Sequence, residues 1–199
     1  WTQLLRRLPV NLRRLLMVPK GHNPKGLGLF LWGYAKLFAI DGADKHRERI
    51  IRLLSLLEKL RSNGIHGNGW GYNFPWQSRA FYLPAYTPTV VNSSFIGHAL
   101  LDAWEVCGLV EARDLAVPIK DFILEDLHRT RDGDTFCFSY TPRDHTAIHN
   151  ANLLAASLLA RLYDVTGREE LLEAALSSLS YSMKYQHDDG SWYYAETDY

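Results

Sequence analysis

The feature that most restricts how this chain can fold is a spaced repetition. Residues 67 to 74 read Gly-Asn-Gly-Trp-Gly-Tyr-Asn-Phe, residues 133 to 140 read Gly-Asp-Thr-Phe-Cys-Phe-Ser-Tyr, and residues 190 to 194 read Gly-Ser-Trp-Tyr-Tyr. Each is a glycine followed by closely spaced aromatics. Gly67, Gly133 and Gly190 stand 66 and 57 residues apart, the length of two helices with their connections. A second set of glycines, Gly42, Gly108 and Gly167, falls between them, each closing an apolar stretch and opening a charged one, as a glycine just past a helix end does.

The spacing predicts a pair of helices per unit. The first of each pair, about residues 26 to 40, 89 to 106 and 148 to 165, is rich in leucine, alanine, glycine and serine, so it should be buried on most sides. The second, about 44 to 62, 110 to 129 and 168 to 187, has a charged face. In the first unit Arg47, Glu48, Arg52 and Lys59 oppose Ile50, Leu53, Leu54 and Leu57 at helical spacing. Buried and half-exposed helices in alternation build two concentric layers, an all-α fold of the α/α toroid type: an incomplete ring or arc of about three helical hairpins plus an N-terminal helix over residues 2 to 17. An irregular bundle or two-layer solenoid is the alternative. The expectation is one toroid domain over 1–199, a fragment of a longer one, because the chain opens at Trp1 and stops where another helix is due.

With 47% hydrophobic residues the chain can build a real core. Lysine plus arginine and aspartate plus glutamate are equal at 22 each, which favours neither nucleic acid nor an anionic surface and fits a small-molecule or oligosaccharide ligand better. Cys107 and Cys137 lack metal-ligand spacing and read as thiols of a reducing, cytoplasmic compartment. No apolar run approaches the roughly 20 residues of a transmembrane helix, so no transmembrane segment is expected. No strand is evident to precede a phosphate-binding loop, and no cofactor is expected. His145 and His149 are four apart but lack a partnering glutamate or third ligand, so no metal is expected either.

The stretch Gln186-His187-Asp188-Asp189-Gly190-Ser191-Trp192, with Tyr181 upstream, resembles the repeat motif of triterpene cyclases and prenyltransferase-like toroids. In that family the motif ties the end of an outer helix to the next turn, which bears on fold and not on reaction. Over residues 22 to 199 the pattern of an inner helix with asparagine near its start, preceded by a loop of Trp, Tyr, Asn and Arg, is similar to the six-hairpin toroids of carbohydrate-active proteins. These include polysaccharide lyases and the helical domain of uronyl C5-epimerases. That resemblance implies a polysaccharide or uronate-containing glycan as ligand, and proton-transfer chemistry if the protein is an enzyme.

In a toroid the long loops converge at one end, so they are the candidate site. The loop over 63 to 88 carries Trp70, Tyr72, Asn73, Trp76, Tyr82 and Tyr86, whose ring faces suit sugar C–H surfaces, and Arg79, whose fork matches a carboxylate. Trp70, Phe74 and Phe81 could equally pack the loop down. The second loop ends in Tyr140, Asp144 and His145 and leads into His149, Asn150 and Asn152. A histidine can remove a proton and a tyrosine deliver one, which makes His149, Tyr140, Asn152 and Arg79 the catalytic candidates. Asn92, Asp144, His145, Asn150 and Trp192 join the rim aromatics as binding candidates. Capping is the simpler account of Asn23, Asn92 and Asn150. A turn explains Asp132-Gly133-Asp134, although it invites comparison with the acid of terpene cyclases. His98 reads as a core or cavity-wall residue. A paired-carboxylate glycosidase using Asp144 or Glu196 with Asp134, an isoprenoid cyclase, and a non-catalytic glycan- or protein-binding scaffold are the alternatives.

Overall fold

The computed structural model describes residues 9–12, 15–17, 20–78 and 81–196. Most of the helix expected over 2 to 17 lies outside them, and the described part forms turns and bends.

Three hairpins are present. The inner helices are α1 (Pro24–Asp41), α3 (Val90–Cys107) and α6 (His149–Thr166). Against them lie α2 (Asp44–Lys59), the broken pair α4 (Val110–Ala116) and α5 (Ile119–Asp121), and α7 (Glu169–Lys184). Packing follows a two-layer arc: α3 sits between α1 and α6, and each outer element covers its own inner helix. Gly42, Gly108 and Gly167 end the inner helices at φ of 62°, 65° and 67°, a left-handed conformation that costs a glycine nothing.

Burial matches position. In the middle of the arc, α3 buries residues on nearly every side, including Asn92, Ser93, Ile96, Leu100 and Asp102. At the edge, α1 buries Leu27, Leu31 and Ala35 but exposes Leu29, Phe30, Leu37 and Ile40, so the burial on most sides expected for it does not hold there. The outer helix α2 buries Ile50, Leu54 and Leu57, one helical stripe, against α1.

Two expectations change. The middle outer helix is not continuous over 110 to 129, because Pro118 has no N–H to donate and its ring blocks a straight helix. After α5 the chain finishes in a π-helical turn, Phe122–Asp126. Short strands also exist where none was evident. Ribbon β1 (Trp76–Gln77) with β2 (Tyr82–Leu83) and ribbon β3 (Arg129–Asp132) with β4 (Thr135–Phe138) are both antiparallel, and Asp132 pairs with Thr135 across the Gly133-Asp134 turn. Both ribbons lie within the long loops.

Among the described residues no helix is long and apolar enough to cross a membrane.

Candidate functional site

The long loops meet at one end of the arc because each bonds the start of an inner helix. The Trp70 amide donates to Ser93 Oγ at 3.0 Å, and the Phe138 amide donates to Asn152 Oδ1 at 2.9 Å. The starts of α3 and α6 are also crossed by the loop that follows their hairpin. The Val90 amide donates to the Tyr140 carbonyl at 3.0 Å, and Ala195 forms a bridge with Ile148. In the first of these loops Gly71 runs so close to the Thr87 carbonyl oxygen that any Cβ there would collide with backbone.

Two open cavities lie on this rim. The first, ≈430 Å³, is lined by Tyr72, Phe74, Trp76, Phe81, Tyr140 and Tyr194. Tyr72 and Phe74 stack at 5.2 Å, Trp76 stands edge-on to Tyr72, and both Trp76 and Phe81 contact Tyr140. The second, ≈250 Å³, is lined by His149, Asn150, Leu153, Trp192, Tyr193 and Tyr194. Tyr194 borders both.

His149 is buried at the floor of the second cavity. Its Nε2 lies 3.0 Å from Glu196 Oε1 and its Nδ1 3.1 Å from Ser182 Oγ. The Asn152 amide donates to Ser182 Oγ at 2.9 Å and to the Ser178 carbonyl at 2.8 Å, while its Oδ1 accepts from Ser178 Oγ. With Asn152 donating to it, Ser182 gives its own hydrogen to Nδ1, and His149 presents Nε2–H to Glu196; this tautomer is assigned from the network. Tyr181, in ring contact with His149, and Cys137 are both buried. Burial, then the Glu196 charge, pushes the Cys137 thiol up to about 12, and burial with the neighbouring Tyr185 raises the Tyr181 phenol.

The rest of the candidate residues separate by environment. Tyr72, Trp76 and Tyr140 line the first cavity, and Asn150 and Trp192 the second. Trp70 does not reach either: it is fully buried, with its indole N–H on the Leu57 carbonyl at 2.8 Å. Asn152 is a buried clamp between α6, α7 and β4 with every polar atom engaged. Asp144 accepts from the Thr141 and Thr146 hydroxyls and from the amides of Tyr140, Thr141 and Thr146, which folds the loop and leaves no face for a ligand or for a paired-carboxylate mechanism. His145 is exposed and stacks on His128 at 3.9 Å. Tyr82 and Tyr86 are exposed and line neither cavity, although the Tyr86 backbone, at φ 61°, is held by Tyr72 and Ser62. Asn73 is half-buried beside Gly21. Arg79 lies outside the described residues.

Capping is right for one asparagine of three. Asn23 accepts from the Gly26 amide; Thr89 caps α3 in place of Asn92, and Ile148 holds the cap position before α6, with no side-chain cap from Asn150. Asn92 is fully buried, and neither its Oδ1 nor its Nδ2 has a partner. The Gln186 to Trp192 stretch does tie helix to turn, through Gln186 Nε2 to the Gly190 carbonyl and the Trp192 indole to the Ser182 carbonyl. Asp132 accepts from Lys184 and the Tyr185 hydroxyl, and these bonds hold its carboxyl below the usual range, so it is no alkene-protonating acid.

Sequence reasoning missed the pairing of Glu196 and Ser182 with His149, and the ion-pair cluster around Asp102 beside His98, which the sequence does read as a core or cavity-wall residue. On the inner helices Asp102 accepts from the Trp32 indole at 2.7 Å and pairs with Lys36 and Arg161, each at 2.5 Å. His98 stacks on Trp32 and meets Ser157 Oγ. Burial, then the Arg161 charge, lowers the His98 pKa against the pull of Asp102. The helical spacing of Trp32 and Lys36, of His98 and Asp102, and of Ser157 and Arg161 was the available signal. Among the described residues no cluster of three or more potential metal ligands exists.

No protein-family model and no curated protein matches the sequence. Solved structures do match in fold. A sugar epimerase from a ruminal bacterium aligns with TM-score 0.65 at 16% identity, covering 87% of this chain and 45% of that one. Cellobiose 2-epimerase from Bacillus thermoamylovorans aligns at 0.64 and 16%, covering 90% and 47%, and a GH76 α-mannanase from Bacteroides thetaiotaomicron at 0.58 and 15%, covering 86% and 48%. The chain therefore spans about half the length of these proteins and has the all-α toroid architecture that the repeat predicts.

Proposed function

We propose that the chain is the site-bearing arc of a carbohydrate-active protein, and that its chemistry is proton transfer at the His149–Glu196 pair. The observation that carries this reading is a buried histidine at the floor of a cavity walled by Trp192, Tyr193 and Tyr194, with a half-buried carboxylate, Glu196, 3.0 Å from its Nε2. Ring faces grip the C–H surface of a sugar, and Asn150 at the mouth offers an amide to its hydroxyls. The reaction suited to such a pair is removal of a C–H proton next to a carbonyl or carboxylate. The C–H bond breaks, its electron pair delocalises onto the adjacent oxygen, and the proton goes to the pair. The pair already holds one proton between Nε2 and Oε1, so the substrate proton becomes its second. Return of a proton to the other face would complete an epimerisation. Loss of a neighbouring leaving group would complete an elimination. The resemblance to sugar epimerases in fold favours the former.

The test has two readouts. Oligosaccharides should change tryptophan fluorescence through Trp192 and Trp76. In deuterium oxide, a sugar with an acidic C–H should acquire carbon-bound deuterium, detected by NMR, and His149→Phe should stop the exchange while keeping the binding. Exchange that survives in His149→Phe would remove the pair from the mechanism.

An isoprenoid cyclase would need a deep, closed cavity with a free acid. Both rim cavities are open and Asp132 is ion-paired, so nothing favours that reading.

A further inference from the structure

We infer that the ligand of this rim spans at least two sugar rings, with the reacting ring beside His149 and the next one in the aromatic cavity; this rests on the carbohydrate reading above. The two cavities are neighbours in series. Tyr194 borders both, so they are separated by the width of one side chain. They differ in what they offer. The second has the buried His149 and the amide of Asn150. The first is walled by Tyr72, Phe74, Trp76, Phe81, Tyr140 and Tyr194, all ring-bearing side chains.

The geometry of the first cavity suits holding over reacting. Tyr72 and Phe74 stack nearly parallel, with planes 16° apart, and Trp76 stands at 83° to Tyr72 and 75° to Phe81. Flat faces in two perpendicular directions form a corner, which fits the two broad surfaces and rim of a pyranose. Such faces grip any ring that presents axial C–H bonds, so this cavity sets how many rings are bound and discriminates less among hydroxyl patterns. Phe74, 46% exposed, forms the outer lip. Trp76 lies on strand β1, Phe81 just precedes β2 with its carbonyl accepting from the Ser78 amide, and Tyr140 is tied through its carbonyl to Val90, so backbone hydrogen bonds hold three members of the corner.

Binding energy from the remote ring can be used to orient the reacting one. A two-ring ligand pinned in the corner has its neighbouring ring placed over His149, whereas a single ring has nothing to fix its position along the rim.

The experiment compares glucose with cellobiose and cellotriose, and mannose with mannobiose and mannotriose, by calorimetry and tryptophan fluorescence on the chain and two variants. In the better-bound series the disaccharide should bind about tenfold or more tighter than its monosaccharide. Trp76→Ala should erase most of that advantage and leave monosaccharide affinity within about twofold. Phe74→Ala, at an exposed lip where folding is not at risk, should erase part of it. Equal weakening of mono- and disaccharide by both variants, or no gain from the second ring, would overturn the two-ring arrangement while leaving the carbohydrate reading in place. Failure of every sugar in both series to bind overturns that reading, and this inference with it.

Discussion

At the starts of α3 and α6 the next rim loop crosses the inner helix in the same way, yet the two junctions carry different side chains. At α3 the crossing is made by the Tyr140 carbonyl on the Val90 amide; at α6 it is made by the Ala195 bridge to Ile148. At α3 the loop amide is caught by Ser93, and at α6 by Asn152. Val90, the first residue of α3, is apolar and fully buried, whereas His149 begins α6 and meets Ser182 and Glu196. The scaffold is therefore repeated and the polar side chains are not. A backbone device shared by the α3 and α6 junctions brings loops to the rim, and the α6 junction alone of the two gathers a histidine, a serine and a carboxylate.

The largest expected effect comes from breaking the better-connected catch. Asn152→Ala strands the Phe138 amide and two serine hydroxyl partners in the core, and should cost about 3 kcal/mol or more, at about 1–3 kcal/mol per buried group left unpaired. Ser93→Ala strands the Trp70 amide alone and should cost about 1–3 kcal/mol. Urea titration of both would show whether the polar junction leans harder on its catch than the apolar one. Equal losses would mean that the repeated device, not the added network, holds the third hairpin.

A second contrast separates rim from wall. Burial would raise the Asp102 pKa, but hydrogen bonds from Lys36, Arg161 and Trp32 outweigh it and leave the folded value below the ordinary one. A carboxylate whose folded pKa is depressed contributes stability that is complete above its unfolded value and lost as the pH falls through the folded one. Melting temperature should therefore fall below about pH 4, and Asp102→Asn should flatten that fall at a cost in stability at neutral pH. A melting curve with the same acid slope in the variant would mean that Asp102 does not tie the three inner helices together.

The smallest effect concerns Asn92. Its side-chain atoms are fully buried and without partners, so the residue carries a desolvation cost that Asn92→Leu removes. The variant should match or exceed the wild type in urea titration, within about 1 kcal/mol. A clear loss of stability would show that Asn92 is satisfied in solution, for example by a buried water.

Much of the architecture was legible because it is written as periodicity. Glycines with φ near 65° at the inner-helix ends, and stripes such as Ile50, Leu54 and Leu57, are local signals that tertiary contacts reinforce. The site was legible in part. The aromatic density of the 63 to 88 loop pointed to the first cavity, and His149 was identified by its place at a helix start. Trp70 was not separable from Trp76, since one enters the core and the other the rim, and only the path of the loop over Ser93 distinguishes them. Asp144 and Asn152 looked like chemistry for a similar reason: a carboxylate or amide that folds its own loop has the same composition as one that meets a ligand. Glu196 reads in the sequence only as a possible partner of Asp134, because its partner in the structure, His149, is 47 residues away and one hairpin earlier.

The break in the middle outer helix has a use. Where Pro118 interrupts the ladder, its carbonyl accepts from the Asn68 amide, and the Asn68 side chain donates to the Leu115 carbonyl at 2.9 Å. Gly67 lies so close that a Cβ there would strike the Pro118 carbonyl. Of these acceptors the Leu115 carbonyl is one a regular helix would have kept for itself, and the Pro118 carbonyl is shared with the Asp121 amide. Straightening that helix, as Pro118→Ala invites, would strengthen a local element and cast off the loop carrying Tyr72 and Trp76, so the shape of the aromatic corner depends on a helix that is kept imperfect.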